Sequence, residues 1–167
     1  MDFTLSKEHE MARQLFKEFA ENEVKPLAQE VDETETFPRE TVEKMAKYGF
    51  MGIPVPKEYG GAGADQVSAA IVTEELAKAC ASTSDIVAGH TLCCVPILEH
   101  GTEEQKRKYL PMLTEGGVLG GMGITEPNAG SDASKSQTEA RLEGDHYVIN
   151  GAKIFITNGP EAGVFVI

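Results

Sequence analysis

The chain has 167 residues, is 41% hydrophobic, and sets 15 Lys+Arg against 27 Asp+Glu for a formal net charge of −12. That is enough apolar material for one ordinary domain or a large part of a bigger protein. The acidic surplus argues against nucleic acid and against an anionic membrane surface as partners, because both are held by clustered cations.

Four His and three Cys, with no C-x-x-C spacing, give no structural zinc signature, and no metal site is expected. An odd number of cysteines behind a start with no apolar or Arg-rich leader points to a reducing, cytoplasmic setting, with Cys80, Cys93 and Cys94 as free thiols. No run of about 18 apolar residues reads as a membrane span.

From Leu5 the apolar residues Ala12, Leu15, Phe16, Phe19, Ala20, Val24, Leu27, Ala28 and Val31 recur at steps of three and four, which predicts a helix with one buried face. Thr4 or Ser6 can cap it, and Pro26 must kink or split it. A short helix follows Phe37-Pro38, with Val42, Met45 and Ala46 inward and Gly49 as its stop. The run GIPVPKEYGGAGAD reads as loop. Helix resumes from about Asp65 to Ala81. A second, apolar nearly all round and therefore central, runs from about Ser84 to Leu98 and ends at Gly101. Thr102-Glu103-Glu104-Gln105 is a capping box for a helix through Tyr109, Leu110 and Leu113, closed by Glu115-Gly116-Gly117.

The period then changes. VLGGMGI (118–124) reads as a strand whose glycines mark a close approach. SQTEARLEG has the alternation of a half-exposed strand. HYVING followed by AKIFITNG predicts a hairpin turning at Asn150-Gly151. GVFVI (163–167) starts another strand, whose edge must be paired. The chain is therefore expected to be the front of a longer protein, or to need a partner to complete its sheet. The alternative is a small α+β domain that pairs this strand internally.

Between these strands lies the polar turn MGITEPNAGSD. Gly123 removes a side chain at the strand end, Thr125 and Ser131 offer hydroxyls, and Pro127 fixes a turn. Asn128, Ala129 and Gly130 permit dihedrals in which successive backbone N–H groups form an anion cradle. No strong base or nucleophile is present. Such a loop suits a flat, phosphate-bearing ligand, and it lacks the G-x-G-x-x-G of a dinucleotide fold. In IFITNG, Phe155 and Thr157 stand two residues apart, which on a strand sends a ring and a hydroxyl to one side.

GITEPNAGSD (123–132) followed by NGAKIFITNG (150–159), with PKEYGG (56–61) and GTEEQKRKYLP (101–111) before them in the same order, resembles the acyl-CoA dehydrogenase family, most of all its short-chain, butyryl-CoA type. The resemblance covers the whole chain and implies an α+β fold. An N-terminal all-α helical domain (1–117) would be followed by the first strands of an incomplete middle β-domain (118–167), ahead of a C-terminal four-helix domain.

The resemblance implies FAD as cofactor, an acyl-CoA thioester as substrate, an electron-transfer flavoprotein as partner, and a homotetramer at full length. By motif, Met122, Gly123, Ile124, Thr125, Glu126, Pro127, Asn128, Ala129, Gly130 and Ser131 would border FAD. Thr125 would bond the pyrimidine end of the flavin, and Ser131 would lie by the diphosphate and near the acyl-CoA chain. Phe155, Ile156 and Thr157 would form the other wall, with the Thr157 hydroxyl toward N5. The family often has Trp where this chain has Phe155. Ala88 and Leu92, one turn apart, are candidates for the acyl pocket.

The family's catalytic Glu belongs to its C-terminal domain, so no catalytic residue is assigned, and Glu126 is expected to be structural or solvated. Without that base the chain alone should be inactive. His90, His100 and His146 read as surface or satisfied core residues, and Lys135 and Lys153 as solvated unless they meet phosphate. Two other readings keep this pattern in view: an acyl-CoA oxidase or flavin monooxygenase relative of the same fold, and a non-catalytic helical binding module.

Overall fold

The computed structural model describes residues 4–167; Met1, at which the helical domain was expected to open, lies outside the described residues. Helix α1 (Lys7–Phe19) starts at Ser6, whose hydroxyl accepts the His9 amide at 3.2 Å. Pro26 then splits the helical run. Ala20–Val24 widens into a π-turn, Lys25–Leu27 tightens into a 3-10 turn, and α2 (Ala28–Thr34) resumes the α-helix. Proline has no N–H to donate and its ring clashes with the carbonyl four residues back, so the ladder changes pitch around it.

Helix α3 (Arg39–Lys47) is followed by Gly49 in the left-handed conformation, the expected stop. The Gly/Pro-rich loop holds one short 3-10 turn, Lys57–Tyr59. Helix α4 (Gln66–Ala79) is capped by Asp65, which accepts from the Ser68 amide at 2.9 Å. Helix α5 (Ala81–His100) exceeds its expected span at both ends. Helix α6 (Glu103–Thr114) carries the full capping box: the Gln105 amide donates to Thr102 Oγ1 at 3.3 Å, and the Thr102 amide to Gln105 Oε1 at 2.8 Å.

Helices α1, α4 and α5 stack in turn around the main core. Phe16 and Phe19 meet Phe50 edge to face at centroid distances of 5.0 and 4.8 Å, and Met45 and Leu76 are fully buried beside them. Helix α5 has 20 residues and an 18-residue window of mean hydropathy 1.2, so by length and composition alone it is apolar enough to cross a membrane, which the sequence reading did not expect. Here it packs against α4, α6 and the first strand. Cys93 and Cys94 are buried free thiols, while Cys80 is half-buried.

Four strands complete the described residues: β1 (Leu119–Met122), β2 (Glu139–Glu143), β3 (His146–Asn150) and β4 (Ala162–Val166). The last strand does find an internal partner: β4 pairs in parallel with β1, Gly120 opposite Val164 and Met122 opposite Val166.

The hairpin is not the one expected. Strands β2 and β3 pair antiparallel from Glu139–Asn150 to Glu143–His146, so the two-residue turn is Gly144-Asp145, with Gly144 at φ 66°. Glycine takes that dihedral without a Cβ penalty, which permits the turn. Asn150-Gly151 instead leads out of β3. Strand β2 is exposed along its whole length rather than alternating.

His90 is the core histidine of α5, with no exposed surface. Its Nδ1 accepts the Gly120 amide at 3.0 Å, so the ring ties α5 to β1. Burial depresses its pKa to about 4 from 6.5, outweighing the nearby carbonyls of Met51 and Leu113. A depressed histidine pKa means that the unfolded chain takes up the proton first. Stability is therefore lost as pH falls from about 6.5 to about 4, by roughly 3 kcal/mol at about 1.4 kcal/mol per unit. Denaturant midpoints of wild type and His90→Gln across that range check this. The wild type should weaken toward acid, and the variant should be flatter there.

Candidate functional site

The glycines of β1 do mark close approaches: helix α5 makes the one at Gly120, and Phe165 of β4 the one at Gly121. A Cβ on Gly120 would stand 2.6 Å from the Cβ of Cys93. This contact sets the strand directly on the helix and fixes where the turn after it emerges.

That turn is anchored by Glu126. Its side chain is only 5% exposed. The carboxylate accepts the Gln137 amide at 2.6 Å, the Thr138 amide at 3.0 Å and the Thr138 hydroxyl at 2.5 Å, and pairs with Lys153 Nζ at 2.8 Å. The Lys153 ammonium is the leading cause, followed by the Thr138 hydroxyl and the Gln137 amide, that holds Glu126 down at a pKa of about 2. A carboxylate so occupied cannot serve as a base near neutrality. Lys153, expected in solvent, is 16% exposed and also donates to the Ile124 carbonyl at 3.0 Å.

The anion cradle does not form as expected. The amides of Glu126 and Ala129 are committed to each other's carbonyls at 2.9 and 3.1 Å, closing a tight bridge. Asn128, Ala129 and Gly130 have ordinary negative φ. The left-handed residues of the site lie elsewhere, at Phe155 (φ 56°) and Asn158 (φ 64°).

Residues 151–161 therefore form no strand, and the same-side argument for Phe155 and Thr157 fails, although both reach the same place. Left-handed backbone at 155 and 158 breaks a β-ladder. The segment is held instead by the Ile154 amide on the Thr125 carbonyl at 2.9 Å and by Asn158, whose Nδ2 donates to the carbonyls of Ile86 and Gly120 at 3.0 and 3.1 Å. Thr157 sits against α5. A Cβ on Gly89 would come within 2.5 Å of its methyl, and its hydroxyl donates to Asp85 Oδ2 at 2.9 Å.

Together these segments line one cleft of about 150 Å³: Met122, Ile124 and Thr125 after β1; Phe155, Ile156 and Thr157; and Gly89 and Leu92 of α5. Phe155 is 89% exposed at its rim. An aromatic residue in the left-handed region costs about 1–3 kcal/mol, and such conformations gather at ligand sites.

Of the residues singled out by sequence, Met122, Ile124, Thr125, Phe155, Ile156, Thr157 and Leu92 meet here. Gly123 is buried and outside the lining, its amide bonded to the Val166 carbonyl at 2.8 Å. Glu126 and Ala129 are buried and outside the lining. Pro127, Asn128, Gly130 and Ser131 are exposed on the outer turn, outside the lining. Ala88, next to Gly89, also falls outside it. Asp85 was missed, since nothing local in Ser84-Asp85-Ile86 signals a partner 72 residues away.

The chain is similar to known proteins. Residues 6–117 match the model of the acyl-CoA dehydrogenase N-terminal domain, and residues 121–167 that of the acyl-CoA dehydrogenase middle domain. A short-chain specific acyl-CoA dehydrogenase of Clostridium acetobutylicum is 60% identical over 168 aligned positions, covering 100% of this chain and 44% of the relative. A chain in the structure of the electron transferring flavoprotein of Acidaminococcus fermentans, from work on flavin-based electron bifurcation, superposes with a TM-score of 0.95 at 45% identity, over 100% of this chain and 44% of that one. An acyl-CoA dehydrogenase of Bacillus anthracis complexed with FAD gives 0.90 at 38% identity, over 98% of this chain and 28% of that one. The chain thus spans less than half the length of each. With both domain models matched in order across nearly its full length, the chain belongs to the acyl-CoA dehydrogenase family.

Proposed function

We propose that this chain is the N-terminal part of an FAD-dependent acyl-CoA dehydrogenase that converts short-chain acyl-CoA to the trans-2-enoyl-CoA. Its helical domain (1–117) and the start of its middle domain (118–167) carry one wall of the flavin site. The observation that carries this reading is the cleft: apolar Met122, Ile124, Leu92 and a strained, exposed Phe155 beside the hydroxyls of Thr125 and Thr157. Apolar flanks with a few hydroxyl donors fit a planar ring with a polar rim.

FAD, when bound, supplies the acceptor for the hydride that leaves the β-carbon. The chain's own residues bind and orient. Thr125 would hold the pyrimidine end, Thr157 would stand toward N5, and Phe155 and Ile156 would cover the ring. Ser131 would serve the diphosphate and acyl-CoA, and Leu92 with the neighbouring Ala88 would border the acyl chain. No carboxylate of this chain is assigned to the α-proton. Glu126 is excluded by its bonds, and the base belongs to the remainder of the full-length protein. The electrons pass on to an electron-transfer flavoprotein, and the full-length protein is a cytoplasmic homotetramer. The A. fermentans likeness supports the electron-transfer assignment.

The test is turnover by the full-length protein. Butyryl-CoA should give the 2-enoyl thioester only when electron-transfer flavoprotein or an equivalent acceptor is supplied, with no oxygen uptake. Oxygen consumed in step with product would make it an oxidase, and a flavin-bound protein that acts on no acyl-CoA would refute the assignment.

A further inference from the structure

We infer that Asp85 is a positioning residue for the Thr157 hydroxyl: by accepting its hydrogen bond, Asp85 turns the hydroxyl oxygen's lone pairs toward the cleft. The inference rests on the proposed flavin site and goes beyond it.

Thr157 has little freedom on α5. Its methyl fills the space left by Gly89, where a Cβ would come within 2.5 Å, and its hydroxyl donates to Asp85 Oδ2 at 2.9 Å. Asp85 and Gly89 are four residues apart in α5, hence on one face of the helix. The neighbouring Asn158 pins the same segment to the helix through the Ile86 carbonyl at 3.0 Å. Two contacts thus select one orientation of the side chain, and one hydroxyl has one proton to give.

With that hydrogen bond directed to Asp85, Thr157 offers the cleft an acceptor. An oxidised isoalloxazine carries a lone pair at N5 and wants a donor; the two-electron reduced ring carries N5–H and wants an acceptor. Asp85 therefore biases the site toward the reduced ring through Thr157. The exposed charge of Asp85 acts in the opposite direction, since a negative charge disfavours added electrons, but solvent screens it. The hydrogen bond prevails over the screened charge, which fixes the sign of the test.

The experiment measures the flavin midpoint potential of the full-length holoenzyme for wild type, Asp85→Ala, Asp85→Asn, Thr157→Val and the Asp85→Ala/Thr157→Val double variant. Asp85→Ala should favour oxidised over reduced flavin by about 3–10-fold, the range of one neutral hydrogen bond. Asp85→Asn keeps an acceptor oxygen without the charge and should restore the wild-type ratio. In the Thr157→Val background, Asp85→Ala should change nothing.

A shift toward reduced flavin in both Asp85 variants would show a charge effect and overturn the inference. So would a wild-type potential in Asp85→Ala, or a shift that persists without the Thr157 hydroxyl. If wild type binds no FAD, the functional reading itself fails. If it binds FAD and the Asp85 variants behave like wild type, only the positioning role fails.

Discussion

Replacing Glu126 with alanine in the full-length protein should release FAD and lower the melting temperature together. The substitution leaves Lys153, 16% exposed, without its counter-charge and strips the Gln137 amide and the Thr138 amide and hydroxyl of their acceptor. Removing one member of a buried pair is far more damaging than replacing both, because it strands the other charge. Lys153 also holds the Ile124 carbonyl, and Ile154 next to it holds Thr125, so both segments that line the cleft lose their common brace. FAD affinity should drop by about tenfold or more, the scale of one lost charge-assisted bond. The double variant Glu126→Gln/Lys153→Met, neutral and similar in volume, should recover much of the thermal stability.

The pair also sets an acid limit. A carboxylate depressed from 4.5 to about 2 contributes stability that is complete above 4.5 and is lost as pH falls toward 2. Glu126→Gln should flatten the pH–stability curve in that window, which meets the window assigned to His90 only between about 4 and 4.5. Retention of FAD and of wild-type stability in Glu126→Ala would contradict the bracing role.

Gly89→Ala should separate flavin binding from folding. The added methyl enters a space where the Thr157 methyl stands 2.5 Å away and its Cβ 2.8 Å. Thr157 must shift, and its hydroxyl loses its line to Asp85. Overpacking of this kind costs about 1–3 kcal/mol, or about 5–150-fold in FAD affinity if the strain falls on the bound state. Alanine inside α5 meanwhile improves helix propensity by about 0.5–1 kcal/mol over glycine. The apo protein should therefore melt no more than slightly lower than wild type while FAD binding weakens. Equilibrium titration with FAD beside thermal melts reads both quantities. Unchanged FAD affinity would remove Gly89 and Thr157 from the site.

The helical half was legible because its signals are local. Ser6, Asp65 and the Thr102/Gln105 box each act within one turn of their own helix, and Gly49 stops α3 by its own dihedral freedom. The strand after Gly117 was legible for the same reason. The hairpin misled because two glycine-containing turns competed. Gly144-Asp145 prevailed because the segment after Asn150 is needed elsewhere, with Lys153 and Ile154 bonded to the turn after β1.

The cleft's liners were legible through the motif, although the geometry first offered for them was wrong. Phe155 and Thr157 share the cleft through a left-handed backbone, not through strand alternation. The hidden features were long-range and polar. Glu126 meets Lys153 27 residues on, and Thr157 meets Asp85 72 residues back. No periodicity encodes a pairing of that kind.

The central claim is that the cleft at Met122–Thr125 and Phe155–Thr157 is one wall of a flavin site serving acyl-CoA oxidation. The most direct test is the visible spectrum of the full-length protein before and after anaerobic addition of butyryl-CoA. The account predicts a bound-flavin band that bleaches on addition of the thioester and returns slowly when air is admitted. A protein that holds no flavin even with FAD supplied would contradict it.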